Sequence, residues 1–288
     1  KPARLGIRLG IEQQQINKAA YQIKPGEDSF PDYLKKLWHS RAMCLTLAKR
    51  DIRIKYSRLA LGLAWTLIQP LAYLFAFLLI FERLLKIEVG YPYILFVFPG
   101  ILAWTLFNYI FSQSGTSLLQ AQDLVKRLQI LKAYLPISKA LIGLFDFALG
   151  FLLLFPLVLM FGESLYWTII FLPLAILGIV AFSLALGMIL AGFSVFHRDL
   201  QYLSPFLVGL SIWITPVFYP VNIVPKAYEQ LLYLNPLTGC LELLRWSISP
   251  EYHSLNPLAW ADLGLCFLAM ILALFVFKSI EFKASDAL

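Results

Sequence analysis

The sequence predicts an all-α membrane protein: six transmembrane helices, an amphipathic interface helix on the cytoplasmic surface before the first, and a re-entrant helical hairpin on the outer side before the last. Three observations carry this expectation. The 288-residue chain is 60% hydrophobic and only 14% charged, against about 25% charged in soluble domains. Its apolar runs are long enough to cross a bilayer. Its basic residues fall almost entirely on one side of those runs.

Residues 1–30 are polar, with Gln13, Gln14 and Gln15 in a row, and are expected to form a cytoplasmic tail. They contain no apolar h-region, so no cleavable signal peptide is expected. Residues 31–58 change character. Pro31 suits a helix start. Leu34, Leu37, Trp38, Leu45, Ala48 and Ile52 recur at three-to-four spacing and form one apolar stripe. Lys35, Lys36, Lys49, Arg50, Arg53, Lys55 and Arg58 lie among them. A basic amphipathic helix without a long apolar run lies in the membrane surface. An ordinary surface helix is the alternative, disfavoured because a span follows directly.

Residues 59–288 then form the transmembrane domain. A crossing helix needs about 20 largely apolar residues. Candidates are 61–81, 92–113, 139–161, 167–193, 202–219 and 257–277. In lipid every backbone polar group must be satisfied within the segment, so runs this long are helical. Six spans put both ends on one side. That side holds 20 of the 24 Lys and Arg residues, 13 of them in residues 1–60; the other side holds Arg83, Lys86, Lys226 and Arg245. Cytoplasmic loops carry the excess of Lys and Arg, so both termini are expected in the cytoplasm. The net charge of +7 therefore reads as topology and lipid contact, and no nucleic-acid partner is expected.

Residues 220–256 are too broken for a span and too apolar for a free loop. Pro225 starts one short helix through about Leu234, and Asn235-Pro236 ends it, because a residue before proline avoids the helical region. A second short helix runs from Leu237 to Ile248, with Glu242 and Arg245 on nearby faces. The pair either re-enters the membrane from outside or lies as a hairpin on the outer leaflet.

No catalytic constellation is visible. His39, His197 and His253 lie on different segments, and no metal spacing exists. Cys44, Cys240 and Cys266 are far apart and read as small apolar filler. No G-x-x-x-x-G-K-[ST] occurs, so no P-loop ATPase resides on this chain. Asp146 and Asp262 are acids within spans, where an ionisable group is a functional candidate; each can equally cap or bond to a neighbouring helix. Aromatics cluster as Tyr73, Phe75, Phe77 and Phe81, as Trp104, Phe107, Tyr109 and Phe111, and as Phe206, Trp213, Phe218 and Tyr219. Interfacial belts and packing account for any one of them. As a group they also suit a sliding wall for sugar rings.

The order of motifs resembles a known family. Arg50-Asp51-Ile52-Arg53-Ile54-Lys55-Tyr56, then Leu61-Gly62, Trp65 and Gln69-Pro70, looks like the start of the first span in ABC-type polysaccharide export permeases. Phe196-His197-Arg198-Asp199-Leu200 resembles the short loop before their fifth span. Thr215-Pro216-Val217-Phe218-Tyr219-Pro220, Leu234-Asn235-Pro236-Leu237 and Glu242 with Arg245 resemble their outer re-entrant region. The resemblance covers about residues 31–280. It implies a homodimer in a bacterial inner membrane, paired with two separate ATPase subunits that carry ATP and Mg, with no cofactor on this chain. It implies export of a lipid-linked polysaccharide such as an O antigen, capsule or wall teichoic acid.

The first cytoplasmic loop, with Asp123, Leu124, Lys126, Arg127 and Leu128, would contact the ATPase. Two copies would line a channel with Tyr73, Phe77, Trp104, Phe107, Trp213, Phe218 and Tyr219. Arg50, Arg53, Lys55 and Arg58 stand where a polyprenyl pyrophosphate carrier would arrive, since arginine donates two bonds to phosphate; lipid headgroups compete for those charges. Asn235, Pro236, Glu242 and Arg245 would form the outer gate. A membrane-embedded transferase is disfavoured because Asp51, Asp123 and Asp199 are scattered. A gradient-driven transporter would need Asp146 or Asp262 to titrate.

Overall fold

The computed structural model describes residues 29–57, 63–86, 89–122, 131–162, 166–251 and 255–287. Those residues form eleven α-helices and no strand. Five helical stretches among them are long and apolar enough to cross a membrane: Ala64–Leu84, Tyr93–Gln120, Tyr134–Met160, Trp167–Ser194 and Leu258–Glu281.

The segment expected as one interface helix is two. Helix α1 spans Phe30–His39 and α2 spans Arg41–Ser57. Ser29 caps α1, its hydroxyl accepting from the Asp32 amide at 3.4 Å, and Pro31 sits in the first turn. The chain leaves helical geometry at Ser40, with φ −95° and ψ 20°. The break is supported from outside, because the Tyr134 hydroxyl donates towards the last α1 carbonyls, of Lys36 at 3.3 Å and Leu37 at 3.1 Å. Of the expected apolar stripe, Ala48 is buried and Leu37 half-buried, while Leu34, Trp38 and Leu45 are exposed. Tyr33, Cys44, Leu47 and Ala48 are buried, whereas Trp38 is 71% exposed. Periodicity marked mainly the face that the rest of the chain leaves open.

Helix α3 (Ala64–Phe77) continues as a π-helical stretch, Leu78–Leu84. Pro70 lies inside it and is buried. Helix α4 (Tyr93–Gln120) is the central post, buried along much of its length. It packs on α5 (Tyr134–Leu152) and most extensively on α7 (Leu172–Ser194). A Cβ at Gly187 would stand 2.7 Å from the Ser114 Cβ, so glycine permits this approach; without a hydrophobic drive between helices, close contact supplies the attraction. The third apolar run turns at Leu153 and resumes as α6, Leu154–Met160. Pro156 lacks an amide to bond the Leu152 carbonyl and its ring crowds that turn. A 3₁₀ turn, Trp167–Phe171, precedes α7.

The expected span 202–219 is shorter. Helix α8 runs Leu200–Ile214, 15 residues, or about 22 Å at 1.5 Å per residue, less than the ~30 Å hydrocarbon core. It stops because Thr215 precedes Pro216 and is extended, with ψ 132°. A 3₁₀ turn at Val221–Ile223 leads to α9 (Lys226–Leu232) and α10 (Pro236–Ile248), the two short helices expected over 220–256. Helix α10 is buried against α7, α4 and the last helix, α11 (Leu258–Ala287). At the opposite end a clip joins α1, the segment before α5, and α11: the Tyr33 hydroxyl donates to Glu281 at 2.7 Å, and the Lys132 ammonium donates to the Glu281 carbonyl at 2.6 Å.

Candidate functional site

A cavity of about 340 Å³ opens between α2, α3, α4, α5 and the chain just after α8. Its wall is aromatic. Tyr73, Phe77, Trp104 and Phe218, all anticipated as channel residues, line it together with Trp65. Phe77 and Phe218 stack with ring centroids 3.8 Å apart, and Tyr73 follows Phe77 at 6.3 Å. Phe218 stands on the unwound chain just past Pro216, where α8 has ended, and is 1% exposed. Three anticipated residues stand elsewhere. Phe107 stacks on Phe111 and on Phe182 of α7, in the helix core. Trp213 is largely exposed and meets Phe218 at 6.0 Å. The Tyr219 hydroxyl donates to the carbonyls of Trp213 and Ile214, both at 3.2 Å, closing the frayed end of α8.

The cavity floor is charged. Lys55 of α2 pairs with Asp146 of α5, and Tyr56 donates its hydroxyl to the other carboxylate oxygen. The Lys55 ammonium also lies over the Tyr109 ring, 4.3 Å from its centre. Burial and the Asp146 carboxylate hold the Tyr56 phenol above its ordinary range, so it stays a donor. One turn earlier, Asp51 accepts from Lys139 at 2.7 Å and from Arg50 at 2.9 Å. Burial raises the Asp51 carboxyl, and hydrogen bonds and charge from Lys139 and Arg50 outweigh it, holding the group below the usual carboxylate range. A second cavity of about 420 Å³ lies on this side, between α2, α4 and α5, lined by Arg50, Lys55, Lys139, Gln113 and Ser138. Lys55, Tyr109 and Gln113 line both cavities. Of the anticipated phosphate group, Arg50 and Lys55 are therefore ion-paired, Arg53 is exposed, and Arg58 lies outside the described residues. So do Asp123, Leu124, Lys126, Arg127 and Leu128.

At the other end, Arg245 is buried at 3% exposure. Its Nη1 donates to the Pro216 carbonyl at 2.8 Å, Nη2 to Val217 at 2.7 Å, and Nε to Phe96 at 3.2 Å. Its guanidinium lies 3.8 Å from the Phe96 ring centre. The fork thus ties α10 to α4 and to the unwound chain that presents Phe218. Gly100 makes room: a Cβ there would meet Arg245 Nη2 at 2.7 Å and the Val217 carbonyl at 2.9 Å. Asn235 caps α10 through the Leu237 amide at 3.2 Å and donates to Thr215 at 2.9 Å. Pro236 opens α10. Glu242 accepts from the Tyr233 hydroxyl at 2.5 Å. Asp262 accepts from the Gly239 amide at 2.9 Å, the helix-bonding role that the sequence left open for it.

The sequence profile of ABC-2 type transporters matches residues 43–248, which contain both ends of this arrangement. The chain belongs to the ABC-2 type transporter membrane family. Among its relatives is the O-antigen export system permease protein RfbA of Myxococcus xanthus, 27% identical over 211 residues, covering 72% of this chain and 80% of that protein. An RfbA of Klebsiella pneumoniae is 21% identical over 259 residues, covering 85% and 95%. The polysialic acid transport protein KpsM of Escherichia coli is 27% identical over 233 residues, covering 77% and 89%.

Sequence reasoning missed several members of this ABC-2 site. Tyr56 and Trp65 stood only as members of the motif before and within the first span, with no site role, and Lys139 only as a basic residue at the edge of a span. Asp146 was visible as an acid in an apolar run, but its partner Lys55 is 91 residues away and nothing local names it. Gly100 gave no signal at all, because the guanidinium it accommodates arrives from 145 positions later.

Proposed function

We propose that the chain is the channel-forming permease subunit of an ATP-driven transporter, exporting a lipid-linked polysaccharide across a bacterial inner membrane. Two copies would pair with two separate nucleotide-binding subunits that carry ATP and Mg. The observation that carries the reading is the cavity itself: an aromatic wall above a charged floor, beside α3 and α8. An aromatic wall suits sugar C–H faces, and cations suit the phosphates of a polyprenyl pyrophosphate carrier. Helices α3 and α8 keep large apolar faces open, including Phe75 and Phe206, as expected of surfaces covered by a second copy and by lipid.

In this reading α8 is a short fifth span of six, α9 and α10 re-enter from the outside, and both termini lie in the cytoplasm, as the basic bias requires. Helices α1 and α2 and the loop carrying Asp123, Leu124, Lys126, Arg127 and Leu128 would receive the push of the ATPase. Arg50, Arg53, Lys55 and Arg58 would meet the carrier, and the glycan would leave past Asn235, Pro236, Glu242 and Arg245. The names of the relatives, an O-antigen export system permease protein and a polysialic acid transport protein, support this assignment.

The test is reconstitution. The purified chain should show no ATP hydrolysis, and should gain hydrolysis and glycan export when joined by a P-loop subunit. Hydrolysis by the chain alone would overturn the proposal. So would full export by a correctly assembled Arg50→Gln/Arg53→Gln variant, for the carrier's route of arrival.

A further inference from the structure

Lys55 stands on the boundary between the two cavities, and it has more than one partner within reach. On the aromatic side it pairs with Asp146. Its ammonium also lies over Tyr109, and both residues line the second cavity, the vestibule, as well as the first. Its side chain is 32% exposed and that of Asp146 16%, so neither is locked away from a competing ion. Asp146 is not orphaned if Lys55 leaves, because Tyr56 keeps donating to it. Lys55 is not orphaned either, because the Tyr109 face offers a cation–π rest. The vestibule adds the cations Arg50 and Lys139 around a single acid, Asp51, that both already bond. Lysine suits such an exchange: it is a point charge on a flexible stem with three rotatable donors.

We propose that Lys55 is an exchangeable barrier: a phosphate-bearing group entering the vestibule takes its ammonium from Asp146 and so joins the vestibule to the aromatic cavity. The ligand class is an organic phosphate or pyrophosphate. A polyprenyl pyrophosphate and an anionic phospholipid headgroup share that chemistry. The transport reading is needed only to prefer the first. Asp146 is then a positioning residue. It holds Lys55 across the boundary when the vestibule is empty, and it competes with the ligand.

Competition gives a sign that a purely structural pair would not. The full chain in phosphatidylcholine nanodiscs is titrated with farnesyl pyrophosphate, with inorganic pyrophosphate, and with phosphatidylglycerol incorporated in the disc. Asp146→Asn should tighten farnesyl pyrophosphate by about three- to fivefold, the scale of a partly exposed ion pair. Lys55→Gln should weaken it, and Lys55→Arg should largely restore it. In the Lys55→Gln background, adding Asp146→Asn should change nothing, since the competition is gone. That double variant also removes both charges together, which protects against misfolding of either single variant.

Unchanged or weakened binding by a folded Asp146→Asn chain would overturn the proposal. Equal tightening with and without Lys55 would overturn it too, because Asp146 would then act only as a repelling charge. A matching response to phosphatidylglycerol supports the exchange with a lipid headgroup as ligand. Inorganic pyrophosphate showing the same pattern supports it without need of a lipid tail. None of these titrations involves nucleotide, so their failure is separable from failure of the ATP-driven reading.

Discussion

Removing the Arg245 side chain is the sharpest perturbation of the α10 end of the cavity. Arg245→Ala takes one donor each from the carbonyls of Phe96, Pro216 and Val217. The three carbonyls sit where the side chain itself is 3% exposed, so water replaces the donors poorly. An unsatisfied buried acceptor costs about 1–3 kcal/mol. Taking the low end for each, because the truncation also removes a desolvated charge, gives a loss of about 3 kcal/mol. On the scale of about 2–4 °C per kcal/mol for chains of this size, the thermal midpoint in detergent falls by about 6–12 °C. The loss should be local as well as global. A cysteine placed at Val217, a position with 0% exposure, should label slowly in the parent chain and quickly beside Arg245→Ala. Arg245→Lys should recover part of both effects, since lysine keeps the charge but not the planar fork. A midpoint within about 2 °C of the parent, under 1 kcal/mol on that scale, with slow labelling at position 217, would refute the account of Arg245 as the tie between α10 and the unwound chain.

Further outcomes follow from the same geometry. Gly100→Ala puts a methyl against Arg245 and the Val217 carbonyl and should cost about 1–3 kcal/mol as an overpacked contact; in the Arg245→Ala background most of that cost should vanish, which a double-mutant cycle in thermal midpoint measures. Asp262→Asn keeps an acceptor for the Gly239 amide and should retain stability and export, whereas Asp262→Ala should lose about 1 kcal/mol, as for a lost helix cap; an export-dead Asp262→Asn chain that folds normally would revive proton coupling. For Asp51 the folded carboxyl is held below its unfolded value, so its contribution is present above the unfolded pKa of about 3.9 and is lost as pH falls through the folded value. The α2–α5 tie through Lys139 should therefore be flat from neutral pH down to about pH 5 and weaken only below that, which the pH dependence of a Cys crosslink between α2 and α5 would report.

How far the sequence carried the fold depends on the kind of constraint. Apolar length is written locally, so the five long spans were legible, and so were the two short helices that Pro225, Asn235 and Pro236 delimit. Proline also decides the disagreements, but through context. Pro70 lies inside α3 without ending it, Pro156 produces only a turn between α5 and α6, and Pro216 ends α8 altogether. In the sequence each of these is simply a proline in an apolar run; whether each bends, interrupts or stops depends on whether neighbours satisfy the freed carbonyls. At Pro216 the end carbonyls of α8, of Trp213 and Ile214, accept from Tyr219, and Arg245, 29 residues on, holds the carbonyl of Pro216 itself. The aromatic wall was partly legible for the same reason. Tyr73 and Phe77 share a helical face and could be grouped by spacing. Phe218 joins them only because the helix before it has stopped, and Phe107 leaves them because α7 covers it.

The two ends of the cavity differ in what it takes to open them, and the difference gives an order. At the Lys55 end, opening exchanges one partner for another: Asp146 keeps Tyr56, and the ammonium, which already rests over Tyr109, moves to a ligand. At the Arg245 end, three carbonyls lose their donor together and the Phe77–Phe218 stack must part, a loss of several kcal/mol by the reckoning above. Ligand binding alone can drive the first change, since competition for one ion pair needs only a modest differential affinity. The second needs an energy input of the size ATP-coupled closure would deliver. Paired cysteines at positions 77 and 218 report the Arg245 end in a chain whose native cysteines are all buried and free. In a chain with Phe77→Cys/Phe218→Cys, farnesyl pyrophosphate without nucleotide should leave crosslinking unchanged, and only the assembled complex turning over ATP should reduce it. If the ligand alone separates the 77–218 pair, the Arg245 tie is not the stronger closure and the proposed order of opening is wrong.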